Sequence, residues 1–316
     1  MKRIERRLET VFVLGGSGLI GTHVVENLAL KGYHVVIIDR VPPLTKLPNN
    51  VSFIRGNVLN MSFLEQAFST YQPSKVIHLV GIPHIPTCQR NPHESYLVNV
   101  VSVHNTVEAM RKYDTKRIIF ASTGAVYGAP RDKPISEEDE VKPLTIYGWH
   151  KLQAEMEIKA YSQSYGLDAV ILRLFNVYGF NPNHGKDVIS IFIRNMIQNN
   201  EILVKGPNKY RDFIYIDDVA EVFAQSLNTI LPQKCTIINI GTGFKIRIID
   251  IVKELEKLLQ VRAKARIVQD PENGTGYYAN ITRMRELLKI KPIPFSQGLQ
   301  VYLKRYNLLK EGKLVK

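Results

Sequence analysis

The stretch Val11-Phe-Val-Leu-Gly15-Gly-Ser-Gly18-Leu-Ile-Gly21 decides the fold of this 316-residue chain. An apolar run enters a turn with glycines three apart, and an amphipathic pattern follows. Glycines there let the backbone turn sharply and approach a pyrophosphate, whose charge suits a helix N-terminus. A tight strand–helix turn without a ligand uses similar glycines, so the motif takes its meaning from its surroundings. Outward from it, β-branched runs alternate with helical patterns. Strands are expected at Val11–Leu14, His34–Asp39, Val51–Arg55, Lys75–Val80, Arg117–Ser122 and Ala169–Leu174. Helices are expected at Thr22–Lys31, Met61–Tyr71, Ser95–Tyr113 and Tyr147–Tyr165. This alternation predicts an α/β protein with a Rossmann-type doubly wound parallel sheet, helices covering both faces. Past Val177 the pattern loosens into a loop over Tyr178–Asn183, a helix over Val188–Asn199 and short strands over Phe213–Ile216 and Thr236–Ile240. Helices over Ile281–Leu288 and Pro294–Tyr306 close the chain. The expected organisation is a dinucleotide-binding domain over residues 1–177, with 213–240 returning to it. A smaller interleaved C-terminal substrate lobe then covers 178–316.

Composition narrows the class. Hydrophobic residues make up 45% and charged residues 22%, as in an ordinary globular protein. No uncharged apolar run approaches the roughly 18 residues of a membrane span, so no membrane partner is expected. Basic residues near Met1 are followed by the glycine-rich segment rather than by a signal-peptide core. Two cysteines, Cys88 and Cys235, give no disulfide framework and fit a reducing cytoplasm. The net charge is +13, and Lys245 to Lys316 hold sixteen Lys/Arg against seven Asp/Glu. Such a basic half suits nucleic acid, an anionic surface, a phosphorylated small molecule or plain solvation. The histidines at 78, 84, 93 and 104 match no metal-ligand spacing, so no metal is expected.

Two further features carry chemistry. In Tyr147-Gly-Trp-His-Lys151 a phenol and an amine share one helix face at i and i+4. An ammonium beside a phenol favours the phenolate below the phenol's ordinary pKa of about 10. Asp39 ends the second strand, 18 residues after Gly21, where an acid accepts hydrogen bonds from an adenosine ribose. A carboxylate there repels a 2′-phosphate and favours NAD, whereas the neighbouring Arg40 is the group that would hold that phosphate.

With these residues in order, the chain resembles the extended short-chain dehydrogenase/reductase family, in particular its NAD-dependent nucleotide-sugar epimerases and dehydratases. The resemblance runs from about Thr10 to Tyr306. It rests also on His78-Leu-Val-Gly81, on Pro92, Tyr96 and Asn99, and on Ala121-Ser122-Thr123-Gly-Ala-Val-Tyr127-Gly128. Arg173-Leu-Phe175-Asn176-Val-Tyr178-Gly179, Arg211-Asp212-Phe213 and Asn239-Ile-Gly241-Thr-Gly243 complete it. The resemblance implies Thr123, Tyr147 and Lys151 as catalytic residues. It implies NAD held by Gly15, Gly18, Leu19, Ile20, Gly21, Asp39, Arg40, Asn57, Val58, Leu79, Val80, Gly81, Asn99, Ser122 and Phe175, with Tyr147 and Lys151. It implies a nucleotide-sugar substrate, UDP- or dTDP-linked, touched by His84, Thr123, Asn176 and Arg211. It also implies a cytoplasmic homodimer packed through the helices over Ser95–Tyr113 and Tyr147–Tyr165. Val100, Val103 and Val107 suit that partner or the protein's own core equally well.

Departures from the family pattern refine the expectation. Dehydratases carry an Asp-Glu pair directly after the catalytic Thr, and here Gly124 and Ala125 stand there. Asn57 replaces an Asp near the adenine, and His150 replaces the small residue before the lysine. Trp149 reads as a packing residue. Asp270-Pro-Glu272 stands where UDP-sugar epimerases usually have Arg-Pro-Gly, the Arg gripping the diphosphate, so Asp270 is expected to repel it. The leading expectation is an NAD-dependent 4-epimerase acting through a 4-keto intermediate. An NAD(P)H-dependent 4-ketoreductase would use the same three residues. An RNA-binding or cofactor-sensing relative draws on the basic C-terminal half, but retention of Tyr147, Lys151 and Thr123 weighs against it, and no nucleic-acid partner is expected.

Overall fold

The computed structural model describes residues 9–180, 187–271, 274–305, 309–310 and 313–314; the end of the expected 178–183 loop, Glu272 and Tyr306 lie outside them. In chain order the first elements are β1 (Thr10–Leu14), α1 (Leu19–Leu30), β2 (His34–Asp39), β3 (Val51–Arg55), α2 (Met61–Tyr71) and β4 (Lys75–His78). Next come α3 (Ile85–Arg90), α4 (Pro92–Tyr96), a π-helical turn (Leu97–Val101), α5 (Ser102–Lys112), β5 (Arg117–Thr123), a 3₁₀ turn (Gly124–Tyr127), α6 (Ile146–Tyr165) and β6 (Asp168–Leu174). Then follow β7 (Asn176–Tyr178), α7 (Val188–Ile197), β8 (Glu201–Lys205), β9 (Tyr210–Arg211), β10 (Phe213–Tyr215), α8 (Ile216–Ser226) and β11 (Cys235–Ile240). The last are β12 (Ile246–Arg247), α9 (Ile248–Leu259), β13 (Lys264–Val268), β14 (Gly276–Tyr277), α10 (Thr282–Leu288), α11 (Phe295–Arg305), β15 (Leu309–Lys310) and β16 (Lys313–Leu314).

The chain divides into two compact units. The first comprises Met1–Gly128, Glu140–Arg173 and Ala220–Ile238, and the second Ala129–Asp139, Leu174–Val219 and Asn239–Lys316. These bounds differ from the sequence expectation at 129–139, 174–177, 213–219 and 239–240, all of which belong to the second unit. Residues 129–139 belong to the second unit because their backbone bonds there, with Arg131 N–H donating to Gly276 and Ile135 N–H to Tyr278. The segment returning to the first unit starts at Ala220 rather than 213, because β10 pairs in parallel with β7.

A seven-stranded parallel sheet, in the order β11-β6-β5-β4-β1-β2-β3, organises the fold. Its strands are nearly continuous apolar runs, as burial on both faces requires. β1 is buried from Val11 to Leu14, and Phe12 meets Phe68 of α2 edge-on with ring centroids 5.1 Å apart. Withdrawing each such ring from water is worth about 2–3 kcal/mol. Helix ends follow local chemistry. The Asn60 side chain accepts the N–H of Phe63 to start α2, and the Thr145 hydroxyl accepts that of Gly148 to start α6. Gly166, at φ +71°, ends α6 in the left-handed region.

The helix expected over Ser95–Tyr113 is broken by the π-helical turn, one residue wider than the 3.6 repeat that hydrophobic spacing reports. Val100, Val103 and Val107 are buried in the protein's own core, which excludes them as a surface facing a partner. The strand expected to reach Val80 ends at His78, with Leu79 N–H still donating to the Leu14 carbonyl at 2.8 Å. Trp149 is 49% exposed rather than packed.

In the first unit a buried ion pair fixes α6. Glu155 accepts Arg173 Nε at 3.0 Å and Nη2 at 2.7 Å, and Ser122 Oγ donates to the same carboxylate at 2.5 Å. One helix and two strands therefore share one charged knot. In the second unit Asp212 plays a comparable part. Its buried carboxylate accepts Thr242 N–H at 2.7 Å, Thr242 Oγ1 at 2.6 Å, Gly243 N–H at 2.9 Å and Ala279 N–H at 3.1 Å. Features of this unit outside the expectations include α9, which is strongly amphipathic, the parallel β8–β13 pair, the small β12-β9-β14 sheet and the β15–β16 pair.

Removing one member of the Glu155–Arg173 pair leaves the other charge buried. Glu155→Gln is therefore expected to cost about 3–5 kcal/mol, read as a lower urea midpoint. The double variant Glu155→Gln/Arg173→Met is expected to recover much of that loss; a double variant less stable than Glu155→Gln would refute the account.

Candidate active site

A cleft of about 180 Å³ opens at the carboxyl ends of β1 and β4, where the strand order reverses. Of the residues expected at a cofactor, Gly15, Gly18, Asp39, Arg40 and Asn57 line it, with Val58, Leu79, Val80 and Gly81. Ile38, Gly56, Leu59, Ile82, Val98 and Ser102 line it too and were not anticipated. Each except Ser102 adjoins an expected position, Val98 standing next to Asn99, so only Ser102, on the helix that follows the π turn, lacked a sequence signal. Leu19, Ile20 and Gly21 form the first turn of α1.

The cleft is built around missing side chains. Gly15 has φ +83°, and a Cβ there would lie 2.9 Å from the Val80 nitrogen. At Gly21 a Cβ would lie 2.4 Å from the Gly15 oxygen, so α1 sits directly on the turn. α1 begins at Gly18 with no side-chain cap, and no acid stands in its first turn. Its leading N–H groups are thus left for an anion. Asp39 is held by the N–H groups of Ser17 at 3.1 Å and Val41 at 3.2 Å, which fix its carboxylate at the cleft wall. Asn57 Oδ1 accepts Leu59 N–H at 3.1 Å, so unlike an Asp it also brings N–H donors to the site. A dinucleotide with a free ribose diol fits these residues.

In the same unit β5 and α6 bring the expected catalytic groups together. Thr123 ends β5, and its Oγ1 accepts Ala125 N–H at 3.2 Å. A Cβ at Gly148 would lie 2.9 Å from the Ala125 oxygen, so the first turn of α6 rests on the segment that follows Thr123. Tyr147 and Lys151 stand on that turn and the next. Tyr147 is half-buried; Lys151 is buried, its Nζ 4.0 Å from the centre of the Phe120 ring. Burial pushes the Lys151 ammonium down to about 7, against the opposing pull of Glu155. His78, buried behind it, is pushed down to about 3 by burial and by Lys151, and is neutral. Ser122 is engaged with Glu155, and Asn99 lies behind the cleft rim with its Oδ1 accepting Ile82 N–H.

Other expected residues lie apart from these. His84 is exposed at the start of α3, its Nδ1 2.8 Å from Thr87 Oγ1. Phe175, Asn176 and Arg211 belong to the second unit. There Asn176 Nδ2 donates to the Asp212 carbonyl at 3.1 Å. Arg211 donates to the Tyr210 carbonyl at 2.8 Å and lies 4.8 Å over the Tyr277 ring. Among the described residues Arg211 meets no carboxylate. Asp270, expected to repel a diphosphate, is instead paired with Lys209 at 2.8 Å, and both side chains are largely buried. Its charge is already answered within its own unit.

The position of Lys151 has a consequence for stability. Its folded-state pKa, about 7, lies below the ordinary 10.5, so between those values the unfolded chain binds the proton more tightly. Stability from this group is therefore lowest below pH 7 and rises as pH is raised through that window. Lys151→Met is expected to flatten the rise, whose limit is about 1.4 kcal/mol per pH unit. Urea midpoints of both proteins across this range measure it, and identical pH profiles would contradict it.

Comparison with known proteins agrees with this geometry. Residues 11–241 match the model of the NAD dependent epimerase/dehydratase family. A Methanocaldococcus jannaschii protein described as a candidate UDP-glucose 4-epimerase is 33% identical over 300 residues, covering 92% of this chain and 96% of its own. The crystal structure of Thermotoga maritima UDP-glucose 4-epimerase with UDP-glucose superposes with TM-score 0.87 at 26% identity, over 94% of this chain and 98% of that one. The Thermus thermophilus UDP-glucose 4-epimerase complex with NAD gives TM-score 0.85 at 26% identity, over 94% and 99%. With its glycine cradle, its Tyr147/Lys151 turn and a family match over most of its length, the chain belongs to the NAD dependent epimerase/dehydratase family.

Proposed function

We propose that this member of the family is an NAD-dependent nucleotide-sugar epimerase that inverts C4 through a transient 4-keto sugar. The observation that carries the reading is the seating of Gly148 on Ala125, which sets the Tyr147/Lys151 turn against the segment after Thr123. Bound in the cleft, NAD would supply reversible hydride transfer at the sugar carbon. Gly15, Gly18 and Asp39 would hold it, the first two by close backbone approach and the third through the adenosine ribose. Tyr147, as phenolate, takes the proton of the C4 hydroxyl and later returns it. Lys151 in its charged form favours that phenolate and would hold the nicotinamide ribose. Thr123 orients the reacting oxygen by a hydrogen bond. Arg211, with its planar fork, and Asn176 would hold the diphosphate, and Lys209 keeps the Asp270 charge from opposing it.

Gly124 and Ala125 offer no acid or base for elimination, which favours epimerisation over dehydration. UDP or dTDP is the expected nucleotide; the Thermotoga maritima neighbour carries UDP-glucose. A cytoplasmic homodimer belongs to the same reading, and the exposed Trp149 and Met156 on α6 support an interface there.

The test is incubation with NAD and a panel of UDP-, dTDP- and GDP-sugars, with epimer formation followed by NMR. Interconversion without net cofactor turnover is expected, and Tyr147→Phe should lower kcat by about 10²–10⁴-fold. Stoichiometric consumption of NAD(P)H would make the protein a ketoreductase instead; full turnover by Tyr147→Phe would remove the mechanism. The Asp39 carboxylate further predicts that NAD binds at least about tenfold more tightly than NADP, and Asp39→Ser should narrow that gap. Equal affinities in the unmodified protein would show that Arg40 rather than Asp39 sets the preference.

A further inference from the structure

His150 stands beside Lys151 in the turn that bears the proposed proton acceptor, and it is only 9% exposed. Its Nδ1 lies 2.8 Å from the Oγ of Ser95, a fully buried residue of α4. That Oγ also accepts Asn99 Nδ2 at 3.1 Å. Asn99 Oδ1 in turn accepts the N–H of Ile82 at 2.9 Å. Gly81, next to it, is so close that a Cβ would come within 2.9 Å of Asn99 Oδ1. Gly81 and Ile82 line the cleft. Buried hydrogen bonds thus run without interruption from the catalytic turn of α6, through α4 and the π-helical turn, to the rim of the cofactor cleft.

The proton inventory closes along this line. Ser95 Oγ accepts from Asn99 and still has one proton and one lone pair, so it donates to an unprotonated imidazole Nδ1 or, in the other tautomer, accepts from Nδ1–H. Burial lowers the His150 pKa, which favours the neutral ring. A buried network with every member satisfied specifies one geometry, and a small residue at position 150 would leave Ser95 without this partner. The Tyr96 ring packs T-shaped against the imidazole, with ring centroids 5.7 Å apart.

We propose that His150 is a positioning residue: through Ser95 and Asn99 it fixes the Gly81–Ile82 rim relative to the turn carrying Tyr147 and Lys151, so that the dinucleotide and the proton acceptor are held in register. The proposal rests on the reading of the cleft as an NAD site and of Tyr147 as the acceptor. It extends that reading to a histidine that stands where the family pattern has a small residue.

The experiment is calorimetric titration of cofactor-free protein with NAD, alongside kcat for the best sugar of the panel. Unmodified protein that neither binds NAD nor turns over a sugar would overturn the functional reading, and this proposal with it. In active protein, His150→Ala is expected to weaken NAD binding by about tenfold, the worth of one buried hydrogen bond, and to lower kcat. His150→Asn, whose amide reaches Ser95 from near the imidazole Nδ1 position, should restore affinity to within about threefold of the unmodified protein. Ser95→Ala should reproduce the loss, and the double variant His150→Ala/Ser95→Ala should bind no more weakly than either single one. Losses that multiply in the double variant overturn the proposal, as does unchanged NAD affinity in His150→Ala or a loss that asparagine does not repair. If His150→Ala does not fold, Ser95→Ala decides: wild-type NAD affinity there sinks the idea, and a loss of affinity supports it.

Discussion

The buried pair between Glu155 and Arg173 is the interaction on which the catalytic half of the molecule depends. It joins α6 to β6, and Ser122 draws β5 into the same knot. A charged pair without water is a poor source of net stability, because desolvation consumes most of the Coulombic gain. What it supplies is position. With Glu155 committed to a guanidinium on β6, α6 has a fixed rotation and height on the sheet. Tyr147 and Lys151, two turns and one turn earlier, inherit that placement.

Lys151 shows how the same region sets chemistry as well as geometry. Burial alone pushes its proton affinity down to about 7, while Glu155 supports the charge. Because that carboxylate is already gripped by Arg173, it offsets only part of the desolvation. The ammonium is therefore poised near neutrality beside a phenol, rather than locked in a surface ion pair. The glycines at the other side of the first unit follow a complementary logic. Gly15 and Gly21 remove side chains so that the turn can approach the backbone of Leu79 and Val80 and α1 can sit directly on the turn. One site thus combines a rigid, charged anchor with a bare backbone cradle.

The second unit is organised by Asp212 rather than by a large sheet. Four donors converge on its carboxylate, gathering the segment of Arg211, the Gly241-Thr242-Gly243 turn and the strand around Ala279. Burial raises its pKa, and those donors pull it back. Arg211 is thereby held on a fixed backbone while its guanidinium rests on Tyr277. Asp270 illustrates why charge read along a chain misleads. Its partner Lys209 lies sixty-one positions earlier, and the two neutralise each other across the turn at Gly206.

The sequence by itself determined the parallel α/β core, because strands buried on both faces must be apolar runs and helices over them must be amphipathic. It determined the glycine turn, Asp39 and the Tyr147/Lys151 pairing for the same reason: each is fixed by local backbone geometry or by helical spacing. The helix α9 was equally legible, with apolar residues from Ile248 to Leu259 at helical intervals. Other features were not legible, since they depend on residues far apart in the chain. The π-helical turn at Leu97–Val101 leaves no mark in hydrophobic periodicity, yet it governs where Asn99 points and places Val98 and Ser102 at the cleft. The partition of residues 129–139 into the second unit came from backbone pairing with 276–280. The pairing of Asp270 with Lys209 and of His150 with Ser95 was likewise decided only by the tertiary structure, because a buried charge or imidazole is satisfied by whichever partner the fold delivers, and local sequence does not name that partner.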